Sequence, residues 1–259
     1  MARYSRQSKT VQDLTRGLSL LWGAQDAPGR SGLTLGAIVT AAIEIADEEG
    51  HEAVSMRAIA QRLQVGAMTL YTHVPGKAEL TDLMLDRVFG ELYRDVDEPV
   101  RQTADWREGM HFIAERNWAL YLRHPWLLQN TGRPTLGPNA SDKYEAELRP
   151  LDDIGLTDLE MDSVLTLVLS HVEATARAQW NLVQTQRESG VTDLEWWTAL
   201  APTLARLSDG KELPVASRVG QAAGMAHQAA SNPAHAFSFG LERILDGVAV
   251  LLERRGKRG

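Results

Sequence analysis

Residues 54–74, VSMRAIAQRLQVGAMTLYTHV, predict two short helices joined by a tight turn. Ser55 stands where the N-cap oxygen of the first helix is expected. The apolar positions of this helix recur at helical spacing and should form one buried face: Met56, Ile59, Ala60 and Leu63. In the turn, Val65 should pack between the helices and Gly66 should relieve the steric limit at the corner. A second helix is expected over residues 67–73, so the stretch predicts a helix-turn-helix unit.

The second helix carries side chains that suit a DNA-reading surface. We expect Leu70 and Val74 to be buried, whereas the remaining side chains are methyl-rich, hydroxylated or aromatic: Met68, Thr69, Tyr71, Thr72 and His73. Such groups fit thymine methyls, base edges and phosphate oxygens. Two packed helices with a glycine corner are common in proteins. The flanking segments must therefore show whether this pair belongs to a DNA-binding domain.

The flanking segments complete a compact unit. Upstream, Thr34 is placed to cap a helix over Leu35–Glu49, and Gly50 follows where a left-handed C-cap is expected. Downstream, Pro75 and Gly76 interrupt the chain before an amphipathic helix over residues 77–93. Three helices and a connecting fourth are therefore predicted.

Residues 33–93 resemble the DNA-binding domain of the TetR family of transcriptional regulators. The matching segments are AAIEIADEEG, SMRAIAQRL and TLYTHVPGKAEL. Residues 95–259 are similar to the tetracycline-repressor-like subgroup through their length, helicity and position. The resemblance implies an all-α fold, with an N-terminal three-helix helix-turn-helix domain and a larger helical-bundle domain for ligand binding and dimerisation. We place an N-terminal extension at 1–32 and the two domains at 33–93 and 94–259.

The resemblance also implies a set of DNA-contacting positions. Arg57 matches a base reader, since arginine can contact guanine O6 and N7 together. Tyr71 matches a phosphate contact, and Lys77 a residue beside the DNA backbone. The full set is Ser55, Met56, Arg57, Ala67, Met68, Thr69, Tyr71, Thr72, His73 and Lys77, with Ser55 and Met56 near the DNA backbone.

Two of these interpretations have alternatives, and the role of the nearby Arg62 is open as well. Tyr71 could pack under the fourth helix, and His73 could be a surface residue with no role in DNA binding. Arg62 is as well explained by a solvated charge as by a phosphate contact. Ala67 and Gly66 are small where many relatives carry polar side chains, so base readout at those steps should be sparse.

Composition limits the classes of protein to which this chain can belong. The chain has 259 residues, 44% of them hydrophobic and 24% charged, which is enough for a sizeable core and two domains. It contains no cysteine, and no apolar run long enough to span a membrane, so we expect a cytoplasmic protein with no membrane partner. We expect no cofactor and no metal site.

The net charge of −7 is the main objection to DNA binding, because DNA-binding modules are usually basic. Between Thr34 and Tyr93 there are four basic side chains and nine acidic ones. Four of the acids lie at or just after the end of the first helix, however, and the next two helices contain none. A basic contact face is therefore compatible with an acidic protein, and its few phosphate contacts favour a dimer.

The first 32 residues are net basic and contain a short amphipathic pattern, VQDLTRGLSLLWG, over residues 11–23. Either this helix docks on the protein through Leu14, Leu18, Leu21 and Trp22, or the whole extension follows DNA as a flexible arm. We favour docking for residues 11–23, and disorder or DNA contact for the rest of the extension.

Beyond residue 93 the pattern is helical throughout. Helices are expected over residues 103–123, 125–130, 138–154, 157–189, 193–207 and 234–255, with loops at 131–137 and 209–214. Residues 106–122 and 161–172 are apolar nearly all round, which predicts central helices. The last helix has a continuous apolar stripe, and we expect it to form a two-fold bundle with the 157–189 helix of a second copy. The alternative is that the stripe closes its own subunit's core.

Tryptophans and polar groups alternate in the helices that would enclose a ligand. Apolar walls with a few polar groups suit a small amphipathic molecule, and we expect the cavity between the 106–123 and 157–189 helices. The candidate wall residues are Met110, His111, Trp118, Tyr121, Thr166, Ser170, His171 and Trp180. The alternative is that these residues form ordinary core.

Enzyme signatures are absent from the sequence: it has no GxSxG, HExxH, P-loop or GxGxxG pattern. The pairs His111 with Glu115 and His171 with Glu173 are common coincidences on charged helices. We therefore expect an effector-responsive transcriptional regulator, with repression the favoured sign of control. It would bind a palindromic operator as a homodimer and leave it when a small amphipathic ligand binds. The alternatives are a helical enzyme and an effector-independent DNA-binding protein.

Overall fold

The computed structural model describes residues 11–23, 32–130, 133–208 and 212–256, and no strand occurs among them. The α-helices are α1 (Val11–Trp22), α2 (Leu35–Glu49), α3 (Met56–Arg62), α4 (Ala67–Leu70), α5 (Lys77–Phe89), α6 (Glu98–Gln102), α7 (Trp106–Arg123), α8 (Pro138–Leu148), α9 (Asp158–Ser189), α10 (Asp193–Leu207), α11 (Pro214–His227) and α12 (Pro233–Gly256). Short 3₁₀ helices lie at His51–Ala53, Pro125–Gln129 and Arg149–Leu151. The chain divides into two compact units, Met1–Leu165 and Thr166–Gly259.

The core of the first unit is formed around α2, α3, α4 and α5. Thr34 caps α2 by accepting a hydrogen bond from the amide of Ala37 at 3.1 Å, and Gly50 ends the helix at a φ of 88°. The apolar faces of the four helices meet in one cluster, whose fully buried members include Ile38, Ile59, Leu70, Leu80 and Met84. The predicted bounds of α2 are confirmed. The predicted buried face of α3 is confirmed for Met56, Ile59 and Ala60, whereas Leu63 is half-buried.

The turn between α3 and α4 differs from the prediction. Gln64, and not Gly66, adopts the left-handed conformation, with a φ of 56°, whereas Gly66 is extended at a φ of −72°. The amide of Val65 returns to the carbonyl of Ala60 at 2.9 Å, the bond pattern of a Schellman C-cap. The hydrogen-bonded cap holds Gln64 in this conformation, so the corner does not depend on glycine.

Two helices of this unit are shorter than predicted. The helix expected over residues 67–73 is regular only for Ala67–Leu70 and then tightens into turns, with His73 N–H bonded to the carbonyl of Leu70 at 2.9 Å. Pro75 disfavours helical backbone in the residue before it, which ends these turns at Val74. The helix expected over residues 77–93 ends at Phe89, followed by Gly90.

The N-terminal helix α1 belongs to the first unit and contacts its core through the last turn of the helix. Leu21 is buried in the cluster of the first unit, and the indole N–H of Trp22 donates to the carbonyl of Leu136 at 2.9 Å. Leu18 and the ring of Trp22 are nevertheless exposed, so the docking face is narrower than predicted. Of the four predicted docking residues, the side chain of Leu14 lies outside the described residues, as does the structure of residues 1–10 and 24–31.

The central part of the chain is more divided than the prediction. The helix expected over 103–123 begins only at Trp106, as α7, which Asp105 caps by accepting a hydrogen bond from the amide of Glu108 at 2.9 Å. The separate short helix α6 precedes it, with Thr103 as its C-cap. The helix expected over 138–154 stops at Leu148, because Pro150 and the left-handed Asp153 and Gly155 follow.

Residues 106–122 and 161–172 are expected to lie centrally, covered on several sides, and in the single chain each of these segments keeps an exposed face. Leu122 and Leu167 are exposed. Arg116 and Glu115 occupy one face of α7, while Ser163, Thr166 and Ser170 occupy one face of α9.

The second unit begins inside α9 and contains α10, α11 and α12. The helix α11 was missed, because an alanine- and glycine-rich segment shows no strong apolar period. The apolar stripe of α12 is partly covered within the chain: Leu241, Leu245 and Val248 are buried. For these three residues the alternative is therefore correct, namely that the stripe closes the core of its own subunit. No helix in the described part of the chain is long and apolar enough to cross a lipid bilayer.

Candidate DNA-binding surface

The helix α3 presents Arg57 outward from a fixed backbone. The hydroxyl of Ser55 accepts a hydrogen bond from the amide of Ala58 at 3.1 Å and thereby caps the helix. Met56 and Ile59 are buried, whereas Arg57 is exposed beside them. Any contact of Met56 with the DNA backbone would therefore come from its main-chain amide and not from its side chain.

The helix α4 and the turns that follow separate an apolar inner side from an exposed outer side. Leu70 and Val74 are fully buried and anchor the segment. Met68 is 77% exposed and Tyr71 48% exposed, which is unusual for large apolar side chains. Of the other predicted contacts, Thr72 is exposed, and Ala67, Thr69 and His73 are half-buried.

The hydroxyl of Thr72 donates to the carbonyl of Thr69 at 2.7 Å. This bond orients the Thr72 methyl and leaves the oxygen able to accept a further bond. The exposed side of the segment thus combines a thioether, a phenol and a threonine hydroxyl.

Lys77 lies at the start of α5, where its ammonium group donates to the backbone carbonyl of His51 at 3.3 Å. Its side chain is exposed. Burial lowers the pKa of His51, and the positive charge of Lys77 lowers it further. His51 is therefore favoured as the neutral form.

Arg62 is paired on the protein. Its guanidinium contacts Glu48 at 2.5 Å and Glu44 at 3.5 Å on α2. Hydrogen bonding to Arg62 lowers the pKa of Glu48, so the pair is charged at neutral pH. Arg62 thus offsets part of the acidic cluster of α2, and the interpretation as a structural charge is supported over a phosphate contact.

The predicted ligand residues fall into two groups. On α7, Met110 is fully buried, and His111, Trp118 and Tyr121 are half-buried. On α9, within the second unit, Thr166 and Ser170 are exposed, and His171 and Trp180 are half-buried. The ring nitrogen Nε2 of His171 lies 2.9 Å from the carbonyl of Phe237, whose ring stacks on the imidazole. A cavity shared by both groups stays a prediction.

Several buried polar residues were missed by the sequence analysis. Asp86, Glu147 and Asn117 are buried and hydrogen-bonded in the first unit. A signal existed for Asp86, which falls on the apolar side of α5 between Met84 and Val88. Its partners are distant in sequence and could not be identified from it.

Two family models match the chain. The one described as bacterial regulatory proteins of the tetR family covers residues 38–84, and the tetracyclin repressor-like C-terminal domain covers residues 98–252. The repressor DrrR1 of Streptomyces coeruleorubidus is 41% identical over 98% of this chain and 92% of its own length.

Solved structures agree with these matches. ActR of Streptomyces coelicolor in complex with actinorhodin is 27% identical, with a TM-score of 0.65, and the match covers 85% of this chain and 98% of ActR. The structure of apo ActR is 28% identical with a TM-score of 0.62, over 90% of this chain and 99% of ActR. Because the C-terminal model alone covers more than half of the chain, the protein belongs to the TetR family of transcriptional regulators.

Proposed function

We propose that this protein is an effector-responsive repressor that binds a palindromic operator as a homodimer. The observation that carries the proposal is the exposed set Arg57, Met68, Tyr71 and Thr72 on α3, α4 and the turns that follow α4. Two such units in a dimer would enter successive major grooves about 34–36 Å apart. The name of the Streptomyces coeruleorubidus relative supports repression as the sign of control.

Dimerisation is supported by exposed apolar groups in the second unit. Phe239 and Val250 are 56% and 44% exposed and lie eleven residues apart, three turns along one face of α12. Gly247 lies between them on that face with open space around its Cα. A second copy packed there would cover this face by two-fold symmetry. We therefore assign the interface to Phe239 and Val250, because Leu241, Leu245 and Val248 are already buried.

The effector is proposed to be a planar, amphipathic aromatic molecule. ActR has been solved with actinorhodin and with (S)-DNPA, which supports a small-molecule ligand for this chain. The half-buried Trp118, Tyr121 and His111 on α7 offer stacking surfaces and one polar group for such a ligand. Thr166 and Ser170 are exposed, so we do not include them among the proposed ligand-binding residues. No catalytic step is part of it.

The repressor proposal is tested by selecting binding sites from random double-stranded DNA with the full-length protein. An enriched palindrome with half-sites one helical turn apart supports it, and the absence of any enriched motif contradicts it. The effector proposal is tested by titrating actinorhodin into the protein–operator complex. Release of DNA by actinorhodin, weakened in Trp118→Ala and unchanged in Trp196→Ala on exposed α10, is the expected result. Release that is equal in all three proteins would remove Trp118 from the ligand site.

A further inference from the structure

The connecting helix α5 carries a buried carboxylate that serves another helix. Asp86 is 5% exposed, and its two oxygens accept hydrogen bonds from the amide N–H of Ala140 at 3.0 Å and from the Asn139 side-chain Nδ2 at 2.9 Å. Both partners belong to the first turn of α8. Asp86 therefore bonds a helix that lies more than fifty residues further along the chain.

Asp86 acts as the N-cap that α8 lacks in its own sequence. The first amides of a helix have no partner within it, and a side-chain oxygen at the N-cap usually accepts from the third residue. In α8 the N-cap residue is Gly137, which has no side chain, and the third residue is Ala140. The Asp86 carboxylate takes this place, and its negative charge is favoured at the N-terminus of the helix.

The contact requires glycine at position 137, because a side chain there would occupy the place of the carboxylate. A Cβ on Gly137 would lie 2.1 Å from Asp86 Oδ1, which is an impossible approach. The backbone of Gly137 has a φ of −82° and a ψ of 173°, which alanine adopts without strain. Alanine at this position would therefore displace the Asp86 carboxylate while leaving the backbone permitted.

A second contact joins α8 to the segment after α5. The phenol of Tyr93 donates to Glu147 Oε1 at 3.0 Å, and Asn117 on α7 donates to the same oxygen at 2.6 Å. Burial raises the pKa of Tyr93, and the charge of Glu147 raises it further, so Tyr93 remains a donor. Lys143 neutralises Glu147 from one turn away, at 2.5 Å. The α5 region is thus held on α8 at both ends of α8.

The position of α5 in turn bears on the DNA-binding surface. Leu80, Leu83 and Met84 of α5 belong to the same buried cluster as Ile59 of α3 and Leu70 of α4. A close-packed core transmits displacement because its side chains have no free volume to absorb it. A change in the seating of α5 on α8 would therefore move α3 and α4.

We propose that Asp86 is a positioning residue that sets the operator-binding pose of α3 and α4 by capping α8 from α5. The inference rests on the proposed operator binding and adds to it the contact through which the region after residue 98 acts on the DNA-binding surface. Two substitutions disturb the contact from opposite sides. Asp86→Asn removes the charge and one of the two acceptor oxygens, and Gly137→Ala displaces the carboxylate. Asp142→Asn, an exposed acid on the same helix, is the matched control.

The first measurement is operator affinity of the full-length variants, at a temperature where circular dichroism shows each to be folded. We expect Asp86→Asn and Gly137→Ala each to weaken binding to the selected operator about fivefold without changing the selected motif. Asp142→Asn should bind like the wild type. Wild-type affinity in both Asp86→Asn and Gly137→Ala would overturn the proposal.

A cross-link distinguishes positioning from general stabilisation. A Cβ at Gly90 would lie 3.0 Å from the Asn139 Cγ, so a pair of cysteines at these positions is within reach of a disulfide. The chain has no other cysteine. In the triple variant Asp86→Asn, Gly90→Cys, Asn139→Cys, oxidation should restore operator affinity to within about twofold of the oxidised double-cysteine protein. Reduction should abolish the recovery. Failure of the oxidised protein to recover would refute a positioning role.

Amide exchange tests the contact without DNA. Exchange of the Ala140 amide should be about fivefold faster in Asp86→Asn than in the wild type, because the acceptor is weakened. If the wild type selects no DNA, the repressor proposal fails, and unchanged exchange at Ala140 would then refute the capping role independently. If the wild type selects an operator and the variants bind it equally well, only the present inference fails.

Discussion

Asp47, in the last turn of α2, accepts a hydrogen bond from the indole N–H of Trp126 at 2.8 Å. The same oxygen lies 2.8 Å from His124 Nδ1, and the other ring nitrogen of His124 lies 3.2 Å from Glu91. His124 and Trp126 are both buried. The segment after α7 is thereby tied directly to the first helix of the DNA-binding unit.

Removing the indole N–H should destabilise the first unit. We expect Trp126→Phe to lower its free energy of unfolding by about 1.5–3 kcal/mol, because the buried bond to a carboxylate is lost along with part of the ring. Urea unfolding followed by circular dichroism measures the change. The matched variant Trp196→Phe, on an exposed residue of α10, should change it by less than about 0.5 kcal/mol. Equal stability of the two variants would show that the Asp47–Trp126 bond contributes nothing.

Arg57 and Lys77 should affect DNA binding differently. Arg57→Ala should relax the preference at one base pair of each half-site by about 1–3 kcal/mol, because a bidentate base contact is lost. Lys77→Ala should weaken binding to all DNA sequences to a similar degree, because the phosphates are the same in every sequence. Binding-site selection and salt titration distinguish the two effects. An unchanged motif for Arg57→Ala would remove Arg57 from base reading, and Arg187→Ala on α9 serves as the control.

The face of α12 that contains Phe239 and Val250 should hold the dimer together. Glutamate at both positions would replace the two apolar side chains of this face by carboxylates, beside the Arg243–Asp246 ion pair. Phe239→Glu with Val250→Glu should therefore yield monomers that have lost operator binding. Sedimentation measures the change in mass. Leu159→Glu, at an exposed position near the start of α9, should leave the assembly of the wild type intact. A dimer that survives both substitutions on α12 places the interface elsewhere.

His51 should make the first unit sensitive to acid. Burial, and then the charge of Lys77, lower its pKa below the ordinary value of 6.5. The folded protein therefore binds this proton more weakly than the unfolded chain, so stability is retained above pH 6.5 and falls as the pH drops below it. His51→Gln should show a smaller loss of stability between pH 7.5 and pH 5.5, a window chosen around that value. An unaltered pH profile in His51→Gln would contradict the assignment.

The sequence by itself determined the elements whose signals are local. Thr34 and Ser55 are caps that act within three residues, and the apolar period of α2 and α3 identifies their buried faces, so these helices and the family could be predicted. The exposure of Arg57, Met68 and Tyr71 followed from the same period, because a side chain opposite the apolar stripe must face outward.

Only the tertiary structure decided which distant groups share one environment. Gln64 is left-handed because the Val65 amide returns to Ala60, and Arg62 is a structural charge because α2 presents Glu44 and Glu48 to it. The buried carboxylate of Asp86 accepts a hydrogen bond from an amide of α8, and the N-cap glycine of α8 leaves room for the carboxylate. A helical period reports which side of a helix is buried, but the partner of a buried polar group is set by the packing of elements far apart in sequence.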